Sequence, residues 1–146
     1  MQPLAAIEGL HWKLKQDVLQ HGQAKLSPFE YAAMMEESYS VDERGNVNTY
    51  PRFLPLTTAI RLVVNAVKRY LPTYSVDFNH VGWTNLKAAV EVRNRLVHPK
   101  QLEDLDVTTE DVAKTMSGFG WLLALVIEVL RETQVSLILE RYQRRE

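Results

Sequence analysis

Apolar residues recur at spacings of three and four along most of the chain, which is the pattern of helices that bury one face. No segment alternates long enough to predict a sheet, and residues 40–54 contain the Asp, Gly, Asn and Pro typical of a loop. Helices are predicted over about 3–20, 28–38, 56–71 and 84–98, followed by one long C-terminal helix. The expected fold is all-α, an antiparallel bundle of about four to five helices in a single domain over residues 1–146.

Several helix boundaries are marked by residues that favour a start or a stop. Ser27 followed by Pro28 predicts a start, because the hydroxyl can cap free N–H groups and proline fits the first helical position. Pro99 should end the fourth helix, since proline lacks the N–H that a helix interior needs. Thr108 or Thr109 is predicted to cap the last helix.

The last helix contains two glycines beside two aromatic residues. It is predicted to be bent or divided near Gly118 and Gly120. The glycines are expected to permit close helix packing, with Phe119 and Trp121 in the core or in a dimer interface.

Composition narrows the classes of function. The chain has no cysteine, which excludes disulfides, thiolate metal sites and a cysteine nucleophile, and it fits a reducing compartment. The net charge of −1 means that any nucleic-acid site must be a local cluster of positive charge. The N-terminus does not resemble a signal peptide, and the most apolar run, 121–127, is too short to cross a bilayer. A cytoplasmic protein with no membrane partner is predicted.

The fourth predicted helix breaks its own amphipathic pattern at Arg93. On a helical wheel Arg93 lies near the middle of an apolar stripe, which consists of Leu86, Ala89, Val90, Leu96 and Val97. A buried guanidinium needs an anion, a carboxylate or a wet cleft, although its stem can also lie along apolar neighbours with the charge in water. Asn94 and His98 lie one turn apart on the other side, and a histidine in the last turn is by itself a common helix-end residue.

These residues form the string RNRLVHP, inside the longer AAVEVRNRLVHPK. The string resembles the signature of the HEPN superfamily, in which an arginine, a polar residue and a few mainly apolar residues precede a histidine. The resemblance implies a helical bundle that forms a two-fold homodimer, with the motif helices of both protomers lining one cleft. Catalytic members of the family are metal-independent endoribonucleases, many of them toxins of toxin–antitoxin pairs or of phage defence. Other relatives are degenerate and serve as binding modules.

The resemblance implies roles that suit the residue types. RNA is cut without a metal when the ribose 2′-hydroxyl attacks the adjacent phosphate, so no cofactor and no metal are expected. His98 would act as general base or acid, and Arg93 would stabilise the charge that develops on the phosphate. Asn94 would orient His98 or a phosphate by hydrogen bonding. Further phosphate contacts, each of which is equally an ordinary surface charge, are predicted at Lys87, Arg95 and Lys100.

Three hypotheses about function follow. The first is a HEPN-type endoribonuclease with RNA as substrate, acting as a homodimer and neutralised by an antitoxin protein. The second is a catalytically inactive HEPN-like dimer that binds nucleotides or another protein. The third is an unrelated helical dimer in which the motif arose by chance, and a salt bridge of Arg93 within its own subunit would favour it.

Overall fold

A computed structural model describes residues 2–144 of the chain. The described residues are mostly helical and include one small two-stranded sheet. The α-helices of the described residues are α1 (Gln2–Gly22), α2 (Pro28–Met34), α3 (Leu56–Val67), α4 (Val81–Val97) and α5 (Thr109–Gln143). The strands are β1 (Glu37–Val41) and β2 (Val47–Pro51). Among the described residues, no helix is both long enough and apolar enough to cross a membrane.

The hairpin of β1 and β2 corrects the prediction of a loop over residues 40–54. The two strands pair antiparallel, with Tyr39 opposite Thr49 and Val41 opposite Val47. The turn between them is held by Asp42, whose Oδ1 accepts hydrogen bonds from two backbone N–H groups of the turn. Each strand has only five residues, so the alternation of side chains is too short to stand out from the turn residues beside it.

Two of the predicted helix starts are confirmed, each as a reciprocal capping box. The Ser27 hydroxyl accepts from the N–H of Glu30, whose carboxylate accepts from the N–H of Ser27. Thr108 and Asp111 make the same pair of hydrogen bonds at the start of α5. In each case two N–H groups that lack helical partners are satisfied.

Other predicted boundaries were wrong by several residues. The second helix ends at Met34 rather than near residue 38, because Glu36 takes a positive φ of 55° and its carbonyl accepts from Arg52 N–H at the base of the hairpin. The third helix ends at Val67 rather than near residue 71. The fourth begins three residues early, because His80 caps it: its Nδ1 accepts from the N–H of Gly82.

The contacts of the chain separate it into two compact units. One unit is Lys15–Tyr74, where α2 packs on α3 and on β1, and where Arg69 pairs with Glu30 at 2.7 Å. The other unit combines the residues before and after that segment, and α4 against α5 is its main packing contact. The motif predicted from the sequence lies in this second unit.

The packing of α5 on α4 depends on one glycine. The predicted division near Gly118 and Gly120 was wrong, because α5 is one continuous helix. Gly118 meets the backbone of α4 so closely that a Cβ there would lie 2.5 Å from Leu86 N, whereas a Cβ on Gly120 would have nothing within 4 Å. The prediction of a packing glycine therefore holds for Gly118 and fails for Gly120. Trp121 packs beside Trp83, with ring centroids 5.7 Å apart.

Candidate functional site

The apolar face of α4 is buried in the earlier turns of the helix and open to solvent in its last turn. Leu86 and Ala89 are fully buried, and Val90 is 9% exposed. Further along the same stripe, Leu96 is half-buried and Val97 is 53% exposed. The helical wheel therefore identified the buried face of α4 correctly. Beyond Arg93, however, this face is no longer covered by the core. The arginine stands at the edge of the core, where its charge reaches water.

Arg93 has two polar partners in its own chain. Its Nη2 lies 2.9 Å from Oε1 of Glu8 in α1, and its Nη1 donates to Oδ1 of Asn94 at 3.2 Å. The side chains of Arg93 and Glu8 are 39% and 49% exposed. A salt bridge within one chain is the arrangement that favours a motif arisen by chance. Ion pairs this exposed contribute only about 0.2–1 kcal/mol, so the pair is weak enough to be exchanged for another anion.

His98 and Asn94 are both exposed at the end of α4. His98 is the residue that follows the last helical residue, and its N–H donates to the Asn94 carbonyl at 3.0 Å. This is the helix-end position at which a histidine is common for structural reasons alone. The structure thus places Arg93, Asn94 and His98 within little more than one turn, all reachable by a ligand from solvent.

Arg95 is engaged with the segment that follows the motif. Its Nη1 donates to the Asp106 carbonyl at 2.8 Å, and its Nη2 lies 3.1 Å from Asp111 Oδ2. Hydrogen bonding to the N–H and then to the side chain of Thr108 lowers the pKa of Asp111 most, and the Arg95 guanidinium lowers it further. These contacts tie the loop between α4 and α5 to both helices. Arg95 therefore stabilises the loop between α4 and α5, a structural role that the sequence did not indicate.

Lys87 and Lys100, the other predicted phosphate contacts, are both exposed. Lys87 lies on α4, on the same side as Asn94 and His98. The backbone of Lys100 is fixed because its N–H donates to Asp104 Oδ2 at 2.7 Å, the contact that contributes most to lowering the pKa of Asp104. Both ammonium groups can thus meet a phosphate close to the motif.

Replacing Arg95 by alanine is expected to lower the melting temperature by about 2–4 °C, because the loop after the motif loses its link to α4. Thermal unfolding followed by circular dichroism measures this. Lys87→Ala is the matched control, since it removes an exposed cation from the same helix and should leave the melting temperature unchanged within error. Equal melting temperatures for the two variants would contradict the structural role of Arg95.

Two features of the site were not predicted from the sequence. One is Glu8, which is far from Arg93 in sequence and comes beside it only through the fold. The other is a group of exposed apolar side chains in and after the motif, formed by Val97, Leu102, Leu105 and Val107. In the sequence, Leu102, Leu105 and Val107 each stand between polar neighbours, whereas Val97 belongs to the apolar stripe of α4.

The described residues contain no group of three or more His, Asp or Glu side chains that could hold a metal ion. A groove of about 320 Å³ lies between α2 and β1, in the Lys15–Tyr74 unit. Its most enclosed carboxylate, Glu36, accepts the N–H of Leu54 at 3.0 Å. The groove contains none of the residues predicted for the site.

Comparison of the chain with protein-family models, with curated proteins and with solved structures found no match.

Proposed function

We propose that the protein is a cytoplasmic, metal-independent endoribonuclease of the HEPN type that acts as a homodimer. The observation that supports it is the placement of Arg93, Asn94 and His98 within about one turn at the solvent-open end of one helix. A toxin or phage-defence role with an antitoxin partner is part of the proposal. It rests on the resemblance of the motif alone.

The proposed reaction uses only groups of the protein and of RNA. His98 of one protomer takes the proton of the ribose 2′-hydroxyl, whose oxygen then attacks the adjacent phosphorus. The 5′-oxygen leaves as its bond to phosphorus breaks, and it accepts a proton from the second His98 of the dimer. The products are a 2′,3′-cyclic phosphate and a 5′-hydroxyl. Arg93 donates to the phosphate oxygens as their charge grows, and Asn94 holds the guanidinium through its Oδ1.

The exposed apolar group beside the motif supports self-association at this face. Four large apolar side chains there are 48–78% exposed, whereas Leu86 and Ala89 earlier in α4 are fully buried. These four residues lie within eleven positions of the chain, and exposed apolar residues that are grouped mark interaction surfaces more often than isolated ones do. A two-fold axis near Val97 would bring two copies of the same patch together, and with them two copies of the motif.

The Arg93–Glu8 pair is the observation that favours a motif arisen by chance, and it also fits a non-catalytic role, which is the second candidate. A guanidinium already neutralised by a carboxylate is a weaker phosphate ligand than a free one. Under this alternative Arg93 links α1 to α4, and the surface binds a nucleotide or a protein without chemistry.

The test is to incubate the purified protein with several end-labelled RNAs in EDTA and to analyse the product ends, with the molecular mass measured in parallel by sedimentation. We expect EDTA-resistant cleavage that leaves 2′,3′-cyclic phosphate ends, by a protein that is dimeric at micromolar concentration. A folded dimer that cuts none of the RNAs would favour the non-catalytic alternative. A protein that is monomeric at this concentration would contradict the proposed homodimer.

A further inference from the structure

We propose that Glu8 is a further residue of the site, which holds the guanidinium of Arg93 in RNA-free protein and yields it to an RNA phosphate on binding. The inference rests on the proposed function, because it assigns Arg93 a phosphate as its second partner. Glu8 would then be a positioning residue on α1, whereas the motif lies on α4.

The geometry of the pair supports a fixed position for the guanidinium. Glu8 follows Ile7, which is 1% exposed, and Arg93 follows Val92, which is 9% exposed. Both backbones are therefore anchored next to the charged residue. Nη2 of Arg93 lies 2.9 Å from a carboxylate oxygen of Glu8, and Nη1 donates to Asn94 at 3.2 Å. The guanidinium is therefore oriented by contacts on two sides before any ligand binds.

The chemistry of the pair allows exchange. A carboxylate and a phosphate present similar pairs of oxygens to a guanidinium, so only one of them can occupy the Nη2 position at a time. Because both side chains are well exposed, the Arg93–Glu8 pair is screened by water and salt and can open at little cost. RNA therefore competes with Glu8 for Arg93.

Glu8 also addresses an electrostatic problem of the proposed dimer. Two Arg93 side chains near a two-fold axis repel each other unless an anion lies between them. With a Glu8 carboxylate on each guanidinium, the two pairs carry no net charge. The dimer can then form without RNA, and the positive charge becomes available only when a phosphate displaces the carboxylate.

The test measures binding of a fluorescent, fully 2′-O-methylated decanucleotide, which cannot be cleaved because it lacks the attacking hydroxyl. Wild type, Glu8→Gln, Arg93→Ala and the double variant are compared at physiological salt. We expect Glu8→Gln to tighten binding about two- to five-fold, the ratio that corresponds to an exposed ion pair. In the Arg93→Ala background the same change should have no effect, since the competition needs the guanidinium.

Two further measurements separate competition from simpler causes. Glu43→Gln removes an exposed carboxylate from the turn between β1 and β2, and it should not tighten binding if the Glu8 effect is specific. With cleavable RNA, Glu8→Gln should lower KM and leave kcat unchanged, because the pair is already broken when the phosphate is bound. If Glu8 had a structural role only, Glu8→Gln would lower the melting temperature and leave the affinity for RNA unchanged.

Failure of this inference is distinguishable from failure of the proposed function. Wild-type binding that depends on Arg93, with equal or weaker binding by Glu8→Gln, overturns the role of Glu8 alone. Equal tightening by Glu8→Gln and Glu43→Gln also overturns it, since net charge would then explain both. Binding that is absent, or unaffected by Arg93→Ala, overturns the phosphate role of Arg93 and the role of Glu8 with it.

Discussion

Replacing His98 by alanine is expected to slow RNA cleavage by about 10²–10⁴-fold, because the proposed reaction loses its proton-transfer group on both protomers. The fold should be unaffected, since the His98 side chain is exposed and only its backbone N–H joins the helix. We expect the free energy of unfolding to change by less than about 0.5 kcal/mol. Initial rates on one labelled RNA in EDTA, together with urea unfolding, measure both quantities.

A second histidine on the same helix supplies the control for His98→Ala. His80 caps the opposite end of α4 through its Nδ1, and His80→Asn keeps a hydrogen-bond acceptor at that position. This variant should cut RNA at the wild-type rate. If His98→Ala kept full activity, the cleavage would have to come from another site or from a contaminant, and the motif would lose its catalytic assignment.

The elements that bear on the site were predictable because their signals are local. The positions of Leu86, Ala89 and Val90 identify the buried face of α4, and Pro99 marks the end of the helix in the sequence as in the structure. Ser27 and Thr108 were recognisable as caps because the partner of each lies three residues away. Signals of this kind depend on neighbours in the chain and not on the fold.

What the sequence could not supply depends on residues that are distant in the chain. The partner of Arg93 is on α1, and nothing local to the motif indicates Glu8 rather than another carboxylate. In the sequence, Arg95 and Lys87 appeared to be equivalent cations on the same helix. In the structure, Arg95 contacts the Asp106 carbonyl and the Asp111 carboxylate, whereas Lys87 is exposed to solvent. A helical wheel shows on which face of its helix a side chain lies, but it does not show which other helix packs against that face.

Gly118 shows how a single small residue fixes the helix that carries the motif, and Gly118→Ala is expected to destabilise the protein. A Cβ there would lie 2.5 Å from the nitrogen and 2.6 Å from the Cα of Leu86, which are backbone atoms that cannot rotate away. Leu86 is itself fully buried, so α4 cannot shift without disturbing its packing. Overpacking of this kind costs about 1–3 kcal/mol, more than the ~1 kcal/mol that alanine gains over glycine in a helix.

Gly120 provides the matched substitution two residues away in the same helix. A Cβ at this position meets nothing within 4 Å, so only the helix propensity changes and Gly120→Ala should stabilise the protein by about 0.5–1 kcal/mol. Urea unfolding of both variants should therefore move the midpoint in opposite directions from wild type. Because α4 presents Arg93, Asn94 and His98, we also expect Gly118→Ala to reduce RNA cleavage and Gly120→Ala to preserve it. Stabilisation by both alanines would show that α4 can move away from α5, and that the position of the motif helix is not set by this contact.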